Sequence, residues 1–359
     1  MEVIHALCDS QLIIRKTAAN LMGQITSVFP LEKWSDMLIK IIGILVDGNN
    51  SDIPANRGNL EGVLLAIKII CEDATEKLFS DGSIMMNIVE TSGQTVQQRP
   101  VDVIVKRCLE LFNHTDGGIR LKAIEILNSL FANVNTATPT GKTVNSSILL
   151  HANSFLQGLA YLSSDSLPSI RYAVCHGIVL VTTIDISLLG GMLQSILEFE
   201  LTATQDVEDE VSMEACEFWL CLLDDGEGGY DDDDEGDGFK RVSGGGSDTG
   251  QAVLFEFLPR LVPILISRMQ LNEQQVLLDR EQELAEAQGE KEINMKPMHY
   301  RGQANKNGDD EDEEDGDGAD EEDSLSKYTI RKRSAAVLDR LAECYDASFI
   351  FPIALPIIQ

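Results

Sequence analysis

The stretch Ile119-Arg120-Leu121-Lys122-Ala123-Ile124-Glu125-Ile126-Leu127-Asn128-Ser129-Leu130 places Ile119, Ala123, Ile126 and Leu130 at successive spacings of 4, 3 and 4. That spacing returns side chains to one face of an α-helix and predicts an amphipathic helix. The same register recurs at Ile14, Ala18, Leu21, Ile25 and at Leu60, Leu64, Ile67, Cys71. It recurs again at Ile170, Val174, Gly177, Val181, at Val211, Ala215, Phe218, Leu222 and at Ile330, Ser334, Val337, Leu341. One stripe implies one helix; six in a single register imply a repeat.

The first five stripes begin 46, 59, 51 and 41 residues apart, bracketing the roughly 40–47 residues of a HEAT or armadillo unit. A second apolar run precedes each later stripe, at 37–46, 101–112, 148–162, 188–201 and 255–269. The expected fold is therefore all-α, an α-α superhelix of HEAT repeats, each made of a helix A, a tight turn and a helix B. No such pair buries its own apolar faces, so each covers its neighbour and the array grows sideways. Four stripes open Ile-Arg, with Arg15, Arg120, Arg171 and Arg331, and Asp9, Asp116, Asp165 and Asp206 stand just upstream. Two readings fit these pairs: helix N-capping by the aspartates, and Asp–Arg stacking between repeats, which Arg120 and Arg171 favour because turn and stripe lie closest there.

Charge divides the chain further. Its 59 acids and 28 Lys and Arg give a net charge of −31, but 9 acids fall between Asp224 and Asp237 and 12 between Asp309 and Asp323. The remaining 38 acids leave an ordered part that is only mildly acidic. Runs of like charge repel themselves and stay solvated, so two disordered acidic loops are expected. The divisions are then 1–229, about five helix pairs with the first truncated; 230–250, an acidic Gly-rich insertion; 251–280, helix A of the next repeat; 281–326, an acidic loop within that repeat; 327–348, its helix B; and 349–359, the truncated start of another. Both ends read as cut, so the chain is expected to be a piece of a longer solenoid.

Several classes of function fall away on composition. Acidity disfavours a phosphate backbone as direct ligand and fits basic protein partners. The seven cysteines are dispersed, without a C-x-x-C pair, and read as reduced core residues. No apolar run reaches the roughly 18 residues of a membrane span, and Met1-Glu2 opens no basic signal region. Cytoplasm or nucleus is expected. The five histidines show no metal-ligand spacing, and Cys175-His176 lies in an apolar stripe. Glu311, Glu313, Asp315, Gly316 and Glu322 imitate a calcium loop, as almost any dense acidic run does; position 8 is Gly318 where a hydrophobe belongs. No phosphate loop or nucleophile elbow is present, so neither an enzyme nor a cofactor is expected.

Beyond the repeat pattern, specific segments resemble the transportin (karyopherin β2) branch of the importin-β nuclear import receptors. They are Trp34-Ser35-Asp36-Met37-Leu38, Ile70-Cys71-Glu72-Asp73, Glu214-Ala215-Cys216-Glu217-Phe218-Trp219, and the pair Leu258-Pro259-Arg260-Leu261-Val262-Pro263 and Arg331-Lys332-Arg333-Ser334-Ala335-Ala336-Val337-Leu338-Asp339, separated by an acidic loop. The resemblance implies a shuttling receptor of nucleus and cytoplasm that binds cargo proteins, RNA-binding proteins among them, through basic signals ending in Pro-Tyr. It implies release of cargo on binding GTP-bound Ran, contact with nuclear pore proteins, and no direct binding of nucleic acid or membrane. Asp309, Asp310, Glu311, Asp312, Glu313, Glu314, Asp315, Asp317, Asp320, Glu321, Glu322 and Asp323 would form the loop that couples Ran to cargo release. By matching position, Ala335, Ala336 and Asp339 would begin the Pro-Tyr pocket. Their i,i+3 and i,i+4 spacing makes them neighbours, and Asp339 lies about 200° from the core residue Val337. The resemblance implies that the chain runs from about the third repeat of such a receptor through the start of the ninth. It lacks much of the family's Ran and cargo surface, so weak binding of either is expected. The competing readings are a HEAT scaffold of the phosphatase-subunit kind, and an acidic chaperone for histones or ribosomal proteins.

Overall fold

The computed structural model describes residues 2–30, 33–47, 57–75, 78, 85–89, 95–134, 146–223, 253–270 and 318–358. Within them the chain is a two-layer helical array. The B layer holds α2 (Leu12–Val28), α4 (Arg57–Asp73), α6 (Gly117–Ala132), α8 (Pro168–Ile184), α10 (Asp209–Leu223) and α12 (Gly318–Cys344). The A layer holds α1 (Glu2–Leu7), α3 (Ser35–Asp47), α5 (Pro100–Leu111), α7 (Ala152–Leu162), α9 (Leu193–Ala203), α11 (Leu258–Met269) and α13 (Ala347–Ile358). Each B helix packs on the next along the whole row, from α2 against α4 to α10 against α12. Contacts from one A helix to the next are sparser.

Helix starts follow local chemistry. α5 and α8 open on Pro100 and Pro168, where a missing N–H costs nothing and φ is already helical. At α6 the Asp116 carboxylate accepts from Gly118 N, satisfying one of the orphan donors of a helix start. The cores of α7, α9 and α11 are each reached through a short 3-10 segment: Ser146–His151, Ile186–Met192 and Phe255–Phe257.

Five stripes face the core as their spacing predicts. Ile119, Ala123, Ile126 and Leu130 are all buried, as are Ile330, Ser334, Val337 and Leu341. The first stripe is displaced: Leu21 is exposed, and the buried face of α2 runs through Arg15, Ala18, Ala19, Met22 and Gly23. The physical reason is the partner. That face packs on the full-length α4, whereas Ile14 and Leu21 border an apolar groove against α1, six residues long. Two close approaches rest on glycine. A Cβ at Gly62 would stand 1.9 Å from the carbonyl oxygen of Leu7, and one at Gly177 would stand 2.8 Å from Asn128 Oδ1.

The expected all-α superhelix is observed, with one short addition: β1 (Met86–Val89) and β2 (Thr95–Gln98) pair antiparallel between α4 and α5, with Met86 opposite Gln98. One boundary needs correction: α12 begins at Gly318, nine residues before 327, so Asp320, Glu321, Glu322 and Asp323 belong to a helix rather than to a loop. Acids in the first turns complement the positive end of the helix dipole, which favours continuation into that run. Residues 224–250 and Asp309, Asp310, Glu311, Asp312, Glu313, Glu314, Asp315 and Asp317 lie outside the described residues.

Candidate interaction surface

The A–B turns joining α5 to α6, α7 to α8 and α9 to α10 carry a chain of arginine contacts. Arg120 Nε and Nη2 donate to the two oxygens of Asp165, at 2.8 and 3.0 Å, in the A–B turn of the following repeat. Its Nη1 stays at home, donating to the carbonyls of His114 and Thr115. Arg171 repeats the arrangement one unit on: Nε and Nη2 donate to Asp206 at 2.6 and 2.8 Å, and Nη1 donates to the Asp165 carbonyl. Arg268, at the end of α11, then donates to the backbone carbonyls of Thr204 and Asp206. The fork geometry of guanidinium allows this division between two turns, which a lysine does not match. Each aspartate also accepts from a backbone N–H two residues on, Asp165 from Leu167 and Asp206 from Glu208. At these two carboxylates stacking between repeats coexists with an Asx turn in the A–B connection; N-capping itself is seen at Asp116. The Arg171 bond, opposed by partial burial, holds the Asp206 carboxyl below the ordinary aspartate range.

The other two stripe arginines are placed differently. Arg15 Nη2 donates to Glu61 inside α4 at 2.9 Å, with Nη1 on the carbonyls of Asp9 and Ser10. Arg331 Nε donates to the Met269 carbonyl at the end of its own repeat's helix A.

On α12 the buried stripe Ile330, Ser334, Val337, Leu341 turns inward, leaving Ala336 and Asp339 exposed and Ala335 half-buried. These three share one face, offering two small side chains beside a carboxylate, which accepts hydrogen bonds from a hydroxyl or ammonium. Of the adjoining cations, Arg333 donates to Glu217 of α10 at 2.6 Å. Lys332 is exposed.

A second set of charges was missed in the sequence. Glu61 bridges Arg15 and Lys122, Lys68 reaches Glu125 at 3.1 Å, His176 Nδ1 lies 2.7 Å from Glu214 Oε1, and Arg333 meets Glu217. These pairs cross from one B helix to the next. Their separations of 46, 61, 57, 38 and 116 residues track the repeat intervals, so the apolar register, extended to charged positions, contained the signal. Lys68, Glu72, Glu125, Asn128, Tyr172 and His176 line a groove of about 310 Å³ across α4, α6 and α8. The Tyr172 and His176 rings stack there with planes 4° apart and centroids 6.1 Å apart.

No group of metal-ligating side chains occurs among the described residues, and no described helix is long and apolar enough to cross a membrane. Cys71, Cys108, Cys175 and Cys216 are buried, and none of the seven cysteines forms a disulfide. Burial pushes the Cys108 thiol up to about 12 and Cys216 to about 11, far from the thiolate a nucleophile requires.

No family model matches the chain. Among curated proteins it is 28% identical over 364 aligned residues to transportin-1 of Mus musculus, and 26% identical over 359 to transportin-1 of Oryza sativa subsp. japonica. Each alignment takes in 100% of this chain and 34% of the relative. Importin subunit beta-2 of Schizosaccharomyces pombe is 28% identical over 222 residues, 62% of this chain and 21% of that protein. Among solved structures, a Kap95:Nup1 complex superposes over 99% of the chain with a TM-score of 0.55 at 14% identity, matching 32% of its own chain; this likeness concerns the fold. The chain thus spans about a third of the length of the transportins it matches, and along the whole of its own length it is similar to the transportin branch of the importin-β receptors.

Proposed function

We propose that this chain is the repeat region of a transportin-like nuclear import receptor that works by binding and release, without an enzymatic step. The observation that carries the reading is collinear similarity over the entire chain, with the acidic stretch following α11 in sequence and running into the first turns of α12, the two helices of one repeat. In this reading cargo presents a basic segment ending in Pro-Tyr, and Ala335, Ala336 and Asp339 begin its pocket. The alanines leave room for a ring and Asp339 accepts the phenol's hydrogen bond. Asp309 to Asp323 couples that pocket to GTP-bound Ran by competing, as a polyanion, for basic surfaces. The cargo class is basic RNA-binding proteins, nuclear pore proteins are further partners, and the site of action is the nucleus and the cytoplasm. The arginines Arg15, Arg120, Arg171 and Arg331 serve the repeat joints rather than the ligand.

The test is fluorescence anisotropy with a basic peptide ending in Pro-Tyr and the same peptide ending in Ala-Ala. Preference for Pro-Tyr, weakened about tenfold by Asp339→Ala and reversed by GTP-bound Ran, is the expected outcome; tenfold corresponds to about 1.4 kcal/mol, the scale of one charge-assisted hydrogen bond. Equal binding of both peptides, lost on deleting 309–323 or on adding salt, favours the acidic chaperone for histones and ribosomal proteins instead. The 21 acids of the two runs are the observation that keeps that second reading in play.

A further inference from the structure

Where α8, α9 and α10 meet, the interior is not apolar. Glu200 of α9 is fully buried, and among the described residues neither oxygen of its carboxyl has an N–H or O–H partner, a weak Cys175 thiol being all that faces it. Around it the polar groups are spoken for. One turn on, the Thr204 hydroxyl donates to the Glu200 carbonyl at 2.7 Å and accepts from Trp219 Nε1 at 2.9 Å. The Thr204 carbonyl accepts from Ser212 Oγ and from Arg268 Nε.

The charges facing this joint are equally committed. From α8 come the Cys175 thiol, a weak donor, and His176, which is engaged with Glu214 of α10 at 2.7 Å. α10 also brings Cys216 toward Glu200. In the turn beyond α9, Asp206 is held by Arg171, and Arg268 of α11 is spent on backbone carbonyls. On the outer face of α9, Arg260 pairs with Glu198. The charged group that acts on Glu200 most directly is thus another carboxylate, Glu214. Burial, and then Glu214, push the Glu200 carboxyl well above the ordinary glutamate range. A carboxylate faced only by a thiol in such a place is costly, whereas a neutral acid packs as a polar isostere of glutamine.

We propose that Glu200 is a proton-gated lock on the joint between the repeats of α8 and α10: closed while its carboxyl is neutral, and loosened when ionisation forces the side chain to reach water. The sign follows from linkage. A folded-state pKa raised above the unfolded value of about 4.3 gives stability that is fully present below the unfolded value and is lost as pH rises through the folded one. One proton bound by the closed joint and not by the open one changes the opening constant by up to tenfold per pH unit across that window.

The test is amide hydrogen exchange on the full chain between pH 5 and 8, corrected for intrinsic rates and read over 193–223. The measured quantity is the ratio of opening constants of the wild type to Glu200→Gln and to Glu200→Met, which removes contributions from every other titrating group. The ratio is expected to climb with pH by up to tenfold per unit against both variants, Trp219 fluorescence following the same course. His176→Gln, which removes the neighbouring imidazole, is expected to leave the climb in place. A ratio flat against either variant, or a climb abolished by His176→Gln, overturns the proposal.

Discussion

Replacing Asp165 tests the joint between α6 and α8 directly. Its side chain is 7% exposed and that of Arg120 15%, so both charges are largely withdrawn from water. The carboxylate accepts two bonds from Arg120 and one from Leu167 N. Removing one partner of a buried pair costs about 3–5 kcal/mol. Arg120 keeps the His114 and Thr115 carbonyls, which places Asp165→Ala near the lower bound, about 3 kcal/mol. Asp165→Asn retains an acceptor for Leu167 N and loses the charge, so about 2 kcal/mol is expected, the difference being one neutral hydrogen bond. Array unfolding need not be two-state, so local hydrogen exchange over α6 to α8 is the suitable assay; 3 kcal/mol raises the opening constant roughly 150-fold. In an Arg120→Ala background the Asp165→Ala effect is expected to shrink by about 2 kcal/mol, the coupling of a contacting pair. If Asp165→Ala changes opening by less than tenfold, or by the same amount with and without Arg120, the inter-repeat pairing is not what holds this joint.

Gly62→Ala drives a Cβ into the Leu7 carbonyl; a loss of about 1–3 kcal/mol is expected in thermal melts, with α1 exchanging its amides fastest. The Asp206 carboxyl, held low by Arg171, contributes stability that is present above the unfolded aspartate value of about 3.9 and is lost as pH falls through the folded one, so Asp206→Asn is expected to flatten the acid limb of a circular-dichroism titration below pH ~4. Phe131→Ala removes a ring stacked 4.7 Å from Phe155 in the core and is expected to cost about 3–5 kcal/mol by urea denaturation. Thiol titration with a dithionitrobenzoate reagent is expected to reach only Cys8, Cys221 and Cys344, the partly exposed three of seven, until denaturant is added.

How much was legible depended on which force set each feature. The B helices were plain because burial against neighbours dictates their period, and five stripes point inward as written. Ile14 and Leu21 were misjudged because spacing reports a face but not which neighbour covers it; α2 answers to α4, one position round the helix. The pairs Arg120–Asp165 and Arg171–Asp206 were readable because turn and stripe sit at a fixed offset. Arg15 and Arg331 share the Ile-Arg signature, yet their partners are set by tertiary placement. The hairpin of Met86–Val89 and Thr95–Gln98 has the β-branched content and flanking Gly93 of a strand pair, but a search tuned to a period near four passes over segments of four residues. The early start of α12 was hidden because like charge argues against order while the helix dipole rewards those same acids. For the Ala335, Ala336, Asp339 face, spacing predicted orientation away from Val337. Spacing alone does not name what an exposed face binds.

The division of each guanidinium between two turns has a mechanical consequence. Asp165 receives Arg120 through its carboxylate and Arg171 through its carbonyl, so one residue belongs to two successive joints and a load on either reaches the other. The row from Arg120 to Arg268 therefore acts as an inextensible cord stitched along one edge of the array. The opposite layer, where A helices touch sparingly, is free to fan open or shut. Bending about that cord changes the pitch of the superhelix while the Arg120–Asp165 and Arg171–Asp206 pairs stay closed, and the Arg260–Glu198 pair between α11 and α9 takes up the motion. The compliance of the molecule resides in the spacing of its A helices, and the cord sets the axis about which it flexes.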